Sequence, residues 1–273
     1  MNENTFTIDL ARRIRVHALR MVHKANASHI GSCLSAADIL AVLYNDILRV
    51  DPSCPDWSDR DRFILSKGHS AAAIYAVLAE RGFFPKEWLE TYSQDGGKLP
   101  GHITSHSIPG VEVSTGSLGH GLPIGCGMAL AGKSDGNSYR VFVLVSDGEC
   151  DEGSMWEAAL FAPHHCLDNL VVIVDRNKIQ AFGAVKEVLD LEPFADKWKA
   201  FNWAVREIDG HNYVQLADAL KNVPFELNRP SCVIAHTVKG KGVSFMENQL
   251  IWHYKSPNDE QLRLALAELG VSD

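Results

Sequence analysis

The sequence predicts an α/β fold, with a parallel sheet that carries helices on both faces. Short apolar segments alternate along the chain with longer segments of helical periodicity, which is typical of repeated β–α–β units. The strongest apolar segment, YRVFVLV at 139–145, shows no polar alternation, as expected for a strand buried on both faces. Polar turn residues such as Ser-Asp-Gly follow the apolar segments directly, where a strand would end.

The first third of the chain begins with two predicted helices. In order, the predicted elements are a helix over 7–25, a helix over 35–48, a loop over 51–61, a strand over 62–65 and a helix over 70–80. Apolar residues recur at helical spacing in the first of these. Ser35 is the expected N-cap of the second helix, and Asp38 lies three positions on, in a variant of the capping box.

The remaining elements lie on either side of the strongest strand. They are a loop over 93–121, a helix over 122–131, strands over 139–145, 170–175 and 231–237, and a helix over 153–165. The loop is too long to be a simple connection, so we expect it to be functional or covered by a ligand. No shift in composition divides the chain. Residues 1–273 are therefore predicted to form a single domain with a mobile C-terminal segment.

Charge and composition exclude several classes of function. The formal net charge is -8, which argues against nucleic acid or an anionic membrane as the main partner. The N-terminus lacks the apolar core of a secretory signal, and no apolar run approaches the ~20 residues that a membrane helix needs. The six cysteines include no C-x-x-C pair. We therefore expect reduced thiols and a cytoplasmic location.

Polar residues follow two of the predicted strands at the point where each strand ends. Asp147 and Gly148 come soon after Val145, and Asn177 comes soon after Asp175. A right-handed β–α–β unit places both strand ends at one edge of the sheet, where ligands of α/β proteins bind. We therefore expect Asp147 and Asn177 to converge on one point.

These residues carry the oxygen atoms that a divalent cation holding a diphosphate prefers. The candidate metal ligands are the carboxylate of Asp147, the amide carbonyl of Asn177 and the main-chain carbonyl of Ile179. The expected metal is Mg²⁺, with Ca²⁺ or Mn²⁺ as alternatives. Gly148 lets a phosphate approach the backbone N–H at the turn. The Ser-Asp-Gly triplet alone is more often an ordinary turn, and only the full strand–turn–helix–strand–Asn arrangement favours a site.

This arrangement resembles the thiamine-diphosphate motif, which begins with Gly-Asp-Gly and ends with Asn. The segments EGSMWEAA and LDNLVVIVDRNKIQ look like the transketolase family in particular. Further matching segments, in the order of the family, are NASHIG (26–31), DRFILSKGH (61–69), PGH (100–102), STGSLGHG (114–121), HTVKGKG (236–242) and WH (252–253). Departures from the family motifs are Ser28, Ile30, Ser117, His120 and Ser146.

The resemblance implies a thiamine-diphosphate-binding fold, and it implies roles for individual residues. It implies that His29, His102 and His253 are catalytic residues, which bind sugar hydroxyls and move protons. Cofactor-binding roles fall to His69, Gly116, Ser117, Leu118, Gly148, Glu152, Asn177 and His253. A neutral imidazole can donate on one nitrogen and accept on the other, which suits it to such proton transfers.

For some residues the sequence allows two interpretations. Glu152 belongs by resemblance to a carboxylate pair across a dimer interface, or is simply a carboxylate favoured by a helix N-terminus. Lys239 and Lys241 either contact phosphate or lie in a solvated loop. His120 occupies the position of a family glutamine, where it contacts substrate or a partner.

The resemblance further implies a transketolase that transfers a two-carbon ketol unit from a ketose, usually phosphorylated, to an aldose. Full transketolases carry two further domains, which hold the glutamate and the aromatic bed for the aminopyrimidine ring. This chain ends at Asp273, where those domains should begin. We therefore expect a split enzyme, in which two copies of this subunit join two copies of a C-terminal subunit.

Other functions remain open on the sequence alone. One is membership of another thiamine-diphosphate class, such as a 1-deoxyxylulose-phosphate synthase-like enzyme or a 2-oxo-acid dehydrogenase component. Another is a non-catalytic subunit that regulates a partner. A nicotinamide-binding enzyme is disfavoured, because no G-x-G-x-x-G follows the first strand.

Overall fold

A computed structural model describes residues 4–271 of the chain. The strands are β1 (Arg62–Leu65), β2 (Val141–Ser146), β3 (Leu170–Arg176), β4 (Ile179–Gln180), β5 (Gly183–Ala184), β6 (Ala204–Asp209) and β7 (Ser231–His236). The helices are α1 (Asn4–Lys24), α2 (Ile30–Val42), α3 (Ala71–Glu80), α4 (Gly121–Ser134), α5 (Gly153–His164), α6 (Val185–Val188), α7 (Phe194–Ala200), α8 (Tyr213–Lys221) and α9 (Asp259–Glu268).

The central sheet has five strands in the order β1–β2–β3–β7–β6, and every neighbouring pair is parallel. Strand β2 is buried along its whole length, as the unbroken apolar run predicts. Strand β6 was not predicted. Only Ala204 and Ile208 of its six residues are buried, and it lies at the edge of the sheet.

Two apolar cores cover the two faces of the sheet, and this confirms the predicted arrangement of helices. Phe142 and Leu144 point into the core that contains α1, α2 and α3. Their neighbours Val143 and Val145 point into the core that contains α4, α5 and α7. The alternation follows from the two-residue period of a strand, which sends successive side chains to opposite faces.

The second helix begins earlier than the sequence predicts, and its predicted N-cap is wrong. Helix α2 begins at Ile30 and its N-cap is His29, so Ser35 lies inside the helix. The Ser35 hydroxyl donates instead to Asp175 Oδ2 (2.6 Å), a partner far away in sequence.

Residues 30–47 are long and apolar enough to cross a membrane by composition alone. However, 89% of this segment is buried inside the protein, as in a core helix.

The C-terminal segment is a packed helix rather than the mobile tail that the sequence predicts. Helix α9 begins with a capping box in which Asn258 and Gln261 exchange side-chain and backbone hydrogen bonds. Its apolar residues Ala265 and Leu266 are buried, and the helix contacts α1. The segment is therefore part of the core that covers one face of the sheet.

The carboxyl ends of four neighbouring strands meet at one edge of the sheet. The segments that leave these ends begin at Ser66, Asp147, Asn177 and Thr237. Parallel strands share one direction, so every one of these segments opens onto the same side of the molecule. This edge carries the residues that the sequence predicts as functional.

Candidate functional site

A cavity of about 450 Å³ opens at the carboxyl edge of the sheet. The predicted site residues that line it are His29, His69, His102, Gly116, Leu118, Asp147, Gly148, Glu152, Asn177, Ile179 and His253. They come from seven separate stretches of the chain and meet only in the fold. Ser117 is exposed between Gly116 and Leu118 and is not among the lining residues.

Four histidines form one wall of this cavity. The ring of His29 lies 5.0 Å from that of His253, 5.2 Å from that of His69 and 5.9 Å from that of His102, measured between centroids. The rings of His69 and His253 are 5.7 Å apart. Imidazoles packed this closely repel one another when protonated, so the cluster favours neutral rings.

Burial, reinforced by nearby cations, favours the neutral form of three of these rings, those of His29, His69 and His253. Burial, followed by His102 and Lys239, lowers the pKa of His29 to about 4. Burial, followed by Lys239 and His29, lowers the pKa of His253 to about 3. Burial also lowers the pKa of His69 well below its ordinary value. Neutral imidazoles can both donate and accept hydrogen bonds, as sugar hydroxyls require.

The Ser-Asp-Gly turn that follows β2 also lines the cavity. Asp147 is buried, and its carboxylate accepts hydrogen bonds from the N–H of Gly148 (2.8 Å) and from the N–H of Lys178 (2.6 Å). The second bond ties the turn after β2 to the segment after β3. Burial, together with the nearby charge of Asp175, raises the pKa of Asp147 to about 6. A bound cation would relieve this penalty on the charged carboxylate.

The predicted metal ligands fit a hard cation by their chemistry. Asp147 offers a carboxylate, Asn177 an amide carbonyl and Ile179 a main-chain carbonyl, all on the cavity wall. The Ile179 carbonyl already accepts a hydrogen bond from the ammonium group of Lys239 (2.8 Å), so it is turned toward positive charge. Within residues 4–271 there is no cluster of three His, Cys, Asp or Glu suited to a metal, so the site rests on this mixed oxygen set.

Lys239 belongs to the cavity wall, and the solvated-loop interpretation of this residue is wrong. Its side chain is buried and contacts both Ile179 and the Nδ1 atom of His253 (2.9 Å). Burial and the charge of Lys67 lower the pKa of Lys239 to about 8. A desolvated ammonium group on a cavity wall favours an anionic ligand such as a diphosphate. Lys241, by contrast, is partly exposed and lies 3.4 Å from Glu247.

A buried glutamate holds the glycine loop against the Ser-Asp-Gly turn. Glu149 accepts hydrogen bonds from the N–H of Gly119 (2.9 Å) and the N–H of Ser146 (3.2 Å), and a short one from the Ser66 hydroxyl. Gly119 has a φ of 83°, and a Cβ atom there would lie 2.6 Å from the Cβ of Glu152. Only glycine permits this close approach of the loop to the start of α5.

A second buried group joins the strand ends beneath the cavity. Asp175 accepts short hydrogen bonds from Lys67 and Thr237, in addition to the bond from Ser35. Burial acts to raise the pKa of Asp175, but these partners outweigh it and hold the pKa below its usual range. These hydrogen bonds fix the position of the Ser-Lys-Gly-His segment (66–69), which carries His69 into the cavity wall.

The structure also brings into the cavity several residues that sequence reasoning missed. They are Ser32, Ser146, Asp151, Gln180, Ala181, Phe182 and Val188. The side chain of Gln180 donates to Asp151 (3.0 Å), and this bond again joins the segments after β3 and β2. Gln180 is the last residue of the LDNLVVIVDRNKIQ segment, the others apart from Val188 lie within two residues of a motif segment, and Val188 carried no sequence signal. His120 is exposed, bonds the Leu118 carbonyl (3.0 Å) and does not line the cavity.

Residues 7–273 match the family model described as "Transketolase, thiamine diphosphate binding domain". The chain belongs to the transketolase family. The fold is therefore that of a thiamine-diphosphate-binding domain, as the sequence motifs imply. Membership of this transketolase-type family also makes the chain part of a thiamine-diphosphate-dependent transferase.

Relatives of similar length to this transketolase chain carry the names of subunits. One subunit of the apulose-4-phosphate transketolase of Phocaeicola vulgatus is 43% identical over 265 residues, which cover 97% of this chain and 94% of that protein. One subunit of the 6-deoxy-6-sulfo-D-fructose transketolase of a Clostridium species is 41% identical, over 95% of this chain and 94% of that protein. Such names imply a partner subunit.

Solved transketolases share the fold over nearly the whole chain. The transketolase of Campylobacter jejuni superposes with a TM-score of 0.93 at 32% identity and covers 100% of this chain. The transketolase of Leishmania mexicana superposes with a TM-score of 0.91 at 30% identity and covers 97%. The chain spans only 44% and 41% of these two proteins, respectively.

Proposed function

We propose that this chain is the diphosphate-binding subunit of a transketolase that moves a two-carbon ketol unit from a ketose to an aldose. The observation that carries the proposal is the cavity itself, which is lined by four clustered histidines and by a carboxylate–amide–carbonyl set. The histidines suit a sugar with many hydroxyl groups, and the oxygen set suits a metal-bound diphosphate.

The residues that would hold the cofactor lie on two sides of the cavity. We propose that Asp147, Asn177 and the Ile179 carbonyl hold Mg²⁺, with Ca²⁺ or Mn²⁺ as alternatives. The diphosphate would be held by His69, Lys239 and the backbone around Gly116 and Gly148. Thiamine diphosphate supplies a nucleophilic thiazolium carbon when it is bound. Leu118 and Glu152 complete the cofactor side, and Ser117 contributes only its backbone, because its side chain is exposed.

Three histidines would act on the sugar. We propose that His29, His102 and His253 together bind the substrate carbonyl and hydroxyl oxygens by hydrogen bonds and assist proton transfer at these oxygens. The lowered pKa values of His29 (about 4) and His253 (about 3) favour neutral rings at pH 7, which can donate hydrogen bonds to these oxygens. A ring that takes up a proton in this environment returns it readily.

The assembly and its substrates extend beyond this chain. We propose an α2β2 heterotetramer with a C-terminal transketolase subunit, which would supply the glutamate and aromatic contacts for the aminopyrimidine ring. The subunit names of the relatives support a partner. Their names also include a phosphorylated and a sulfonated sugar, and this supports a ketose with an anionic tail. The free cysteines support our proposal of a cytoplasmic location.

The test begins with a calorimetric titration of thiamine diphosphate into this chain and the subunit encoded beside it, with and without Mg²⁺. We expect binding that requires the metal, strengthens with the partner and falls at least about 100-fold in Asp147→Ala, because one charged metal ligand is lost. Asp56→Ala, at an exposed carboxylate, is the matched control. Binding that is equal in Asp147→Ala and wild type would contradict the site.

A second measurement tests the reaction. The reconstituted pair should form a ketol-transfer product from a ketose phosphate and an aldose, and no product from pyruvate. His253→Asn should retain cofactor affinity within about tenfold and lose most of kcat, since a hydrogen-bond donor to a developing oxyanion typically contributes about 10²–10³-fold. Full activity of His253→Asn would instead indicate that this chain only regulates its partner.

A further inference from the structure

Two of the cavity histidines have their Nδ1 atoms held by different kinds of side chain. The Nδ1 of His253 lies 2.9 Å from the ammonium nitrogen of Lys239. An ammonium group can only donate, so this Nδ1 accepts, and the proton of the neutral ring is on Nε2. The Nδ1 of His29 lies 2.9 Å from the hydroxyl of Ser28. A hydroxyl donates or accepts, so both tautomers of His29 are satisfied.

The backbone fixes where the His29 ring lies but leaves its tautomer free. His29 has a φ of 72°, in the left-handed region, directly before α2. Its N–H donates to the His253 carbonyl (2.9 Å), and its own carbonyl accepts from the N–H of Ser32 (3.2 Å). Among the described residues, the Nε2 atom of His29 makes no hydrogen bond, so this nitrogen is free for a ligand.

Ser28 itself is half-buried and does not line the cavity, so it acts only through the neighbouring ring. It is also one of the departures from the family motif, which has glycine before this histidine. Glycine has no side chain with which to engage Nδ1. A chain with serine at this position can therefore control the His29 imidazole in a way that a chain with glycine cannot.

We propose that Ser28 is a positioning residue that makes His29 the proton carrier of the site, while Lys239 makes His253 a fixed hydrogen-bond donor. This inference rests on the proposed function. When the Ser28 hydroxyl donates to Nδ1, the Nε2–H of His29 donates to a substrate oxygen. When Nδ1–H donates to Ser28, the bare Nε2 takes the proton of a substrate hydroxyl. The resulting imidazolium keeps Nδ1–H on Ser28 and returns the same proton from Nε2 to a product alkoxide.

The experiment uses the full chain reconstituted with its partner. It compares wild type with Ser28→Ala, Ser28→Thr and the exposed-site control Ser53→Ala. Histidine-selective ¹⁵N NMR reports the tautomers, with His29→Asn and His253→Asn to assign the signals. Wild-type His29 should give shifts averaged over two tautomers, and His253 should give those of the Nε2–H form. Ser28→Ala should change the His29 shifts and leave the His253 shifts in place.

Kinetics separate positioning from structural damage. Removing one hydrogen bond of about 1–1.5 kcal/mol to the carrier should lower kcat about fivefold to tenfold in Ser28→Ala, with KM within about twofold. Ser28→Thr keeps the hydroxyl and should restore both the shifts and kcat. Unchanged His29 shifts, or wild-type kcat, in Ser28→Ala would overturn the inference. If the wild-type pair itself shows no ketol transfer, the proposed function fails and the carrier role fails with it.

Discussion

Two groups of buried charged residues in this protein differ in how completely their charges are matched. The first group, the Arg15 cluster, consists of Arg15, Asp38, His211 and Tyr213. It lies between α1, α2 and the start of α8, away from the cavity. The second group is the cavity wall, with Asp147, Lys239 and the histidines. Desolvation acts on charged groups in both, yet the pKa shifts favour the charged form of Asp38 in the first group and the neutral forms of Asp147, Lys239 and His29 in the second.

In the Arg15 cluster every charge meets its complement. Arg15 donates two hydrogen bonds to the carboxylate of Asp38 (3.0 and 2.6 Å), which also accepts from His211 and Tyr213. Burial alone would raise the pKa of Asp38, but Arg15 and these hydrogen bonds hold it well below its usual range. The cluster is therefore stable in its charged form without any ligand.

On the cavity wall burial wins, because the charges there lack full partners. The pKa of Asp147 is raised to about 6, that of Lys239 is lowered to about 8 and that of His29 is lowered to about 4. Each shift favours the neutral form. In the Arg15 cluster the charged and hydrogen-bonding partners thus outweigh desolvation, whereas on the cavity wall a charged ligand could still offset it.

The largest effect on stability should come from the Arg15 cluster. Asp38→Ala leaves the buried guanidinium of Arg15 without its carboxylate, and we expect the free energy of unfolding to fall by about 3–5 kcal/mol. Urea denaturation monitored by circular dichroism measures this. The double variant Asp38→Ala/Arg15→Met removes the orphaned charge and should recover more than about 1 kcal/mol. A double variant no more stable than Asp38→Ala would show that the two charges do not depend on each other.

A smaller effect on stability is expected from the matching change on the cavity wall. Asp147→Ala removes two hydrogen bonds but also removes a poorly matched buried carboxylate. We therefore expect the free energy of unfolding to stay within about 1 kcal/mol of wild type, although cofactor binding is lost. The same urea titration measures it beside Asp38→Ala. If Asp147→Ala lost as much stability as Asp38→Ala, the two regions would not differ as we infer.

The last prediction concerns how the free energy of unfolding changes as the pH falls. Unfolded histidines bind protons near pH 6.5, whereas folded His29 and His253 resist protonation down to about pH 4 and about pH 3. The unfolded state therefore binds more protons, and stability should fall as the pH drops from about 6.5 to 4. Asp147 opposes this in part, because its raised pKa makes the folded state take up a proton below about pH 6.

Replacing the rings tests this origin of the acid dependence. His29→Asn/His253→Asn should show a shallower loss of stability between pH 6.5 and 4 than wild type, measured by urea titration at each pH. His106→Asn, at an exposed loop position, is the matched control and should follow the wild-type curve. A double variant that also follows the wild-type curve would mean that other groups cause the acid dependence.

Local sequence rules predicted much of this fold and most of the cavity. The unbroken apolar run identified β2, and the polar residues at the strand ends put Asp147 beside the Asn177 segment, where Asp147 accepts from the N–H of Lys178 (2.6 Å). Those rules work because strand ends and turns depend on neighbouring residues alone. The family motifs named most of the residues that line the cavity. Their catalytic and cofactor-binding roles stay predictions.

Local rules failed where a distant partner decides the outcome. Ser35 has the residue type and spacing of an N-cap. In the fold, however, its hydroxyl donates a hydrogen bond to Asp175, which is distant in sequence. The C-terminal segment gave little sign of order, yet α9 is held by packing against α1. Neither partner can be identified from residues near in sequence.

The sequence by itself determined the fold class, the family and the chemistry of the residues that could serve a diphosphate, a metal and a sugar. Only the tertiary structure decided which of these residues are charged and which nitrogen of a histidine is free. Lys239 is buried between Ile179 and His253, and the Nδ1 of His29 is bound to Ser28. Side-chain types follow from the sequence, but desolvation and hydrogen-bond partners depend on segments that meet only when the chain is folded.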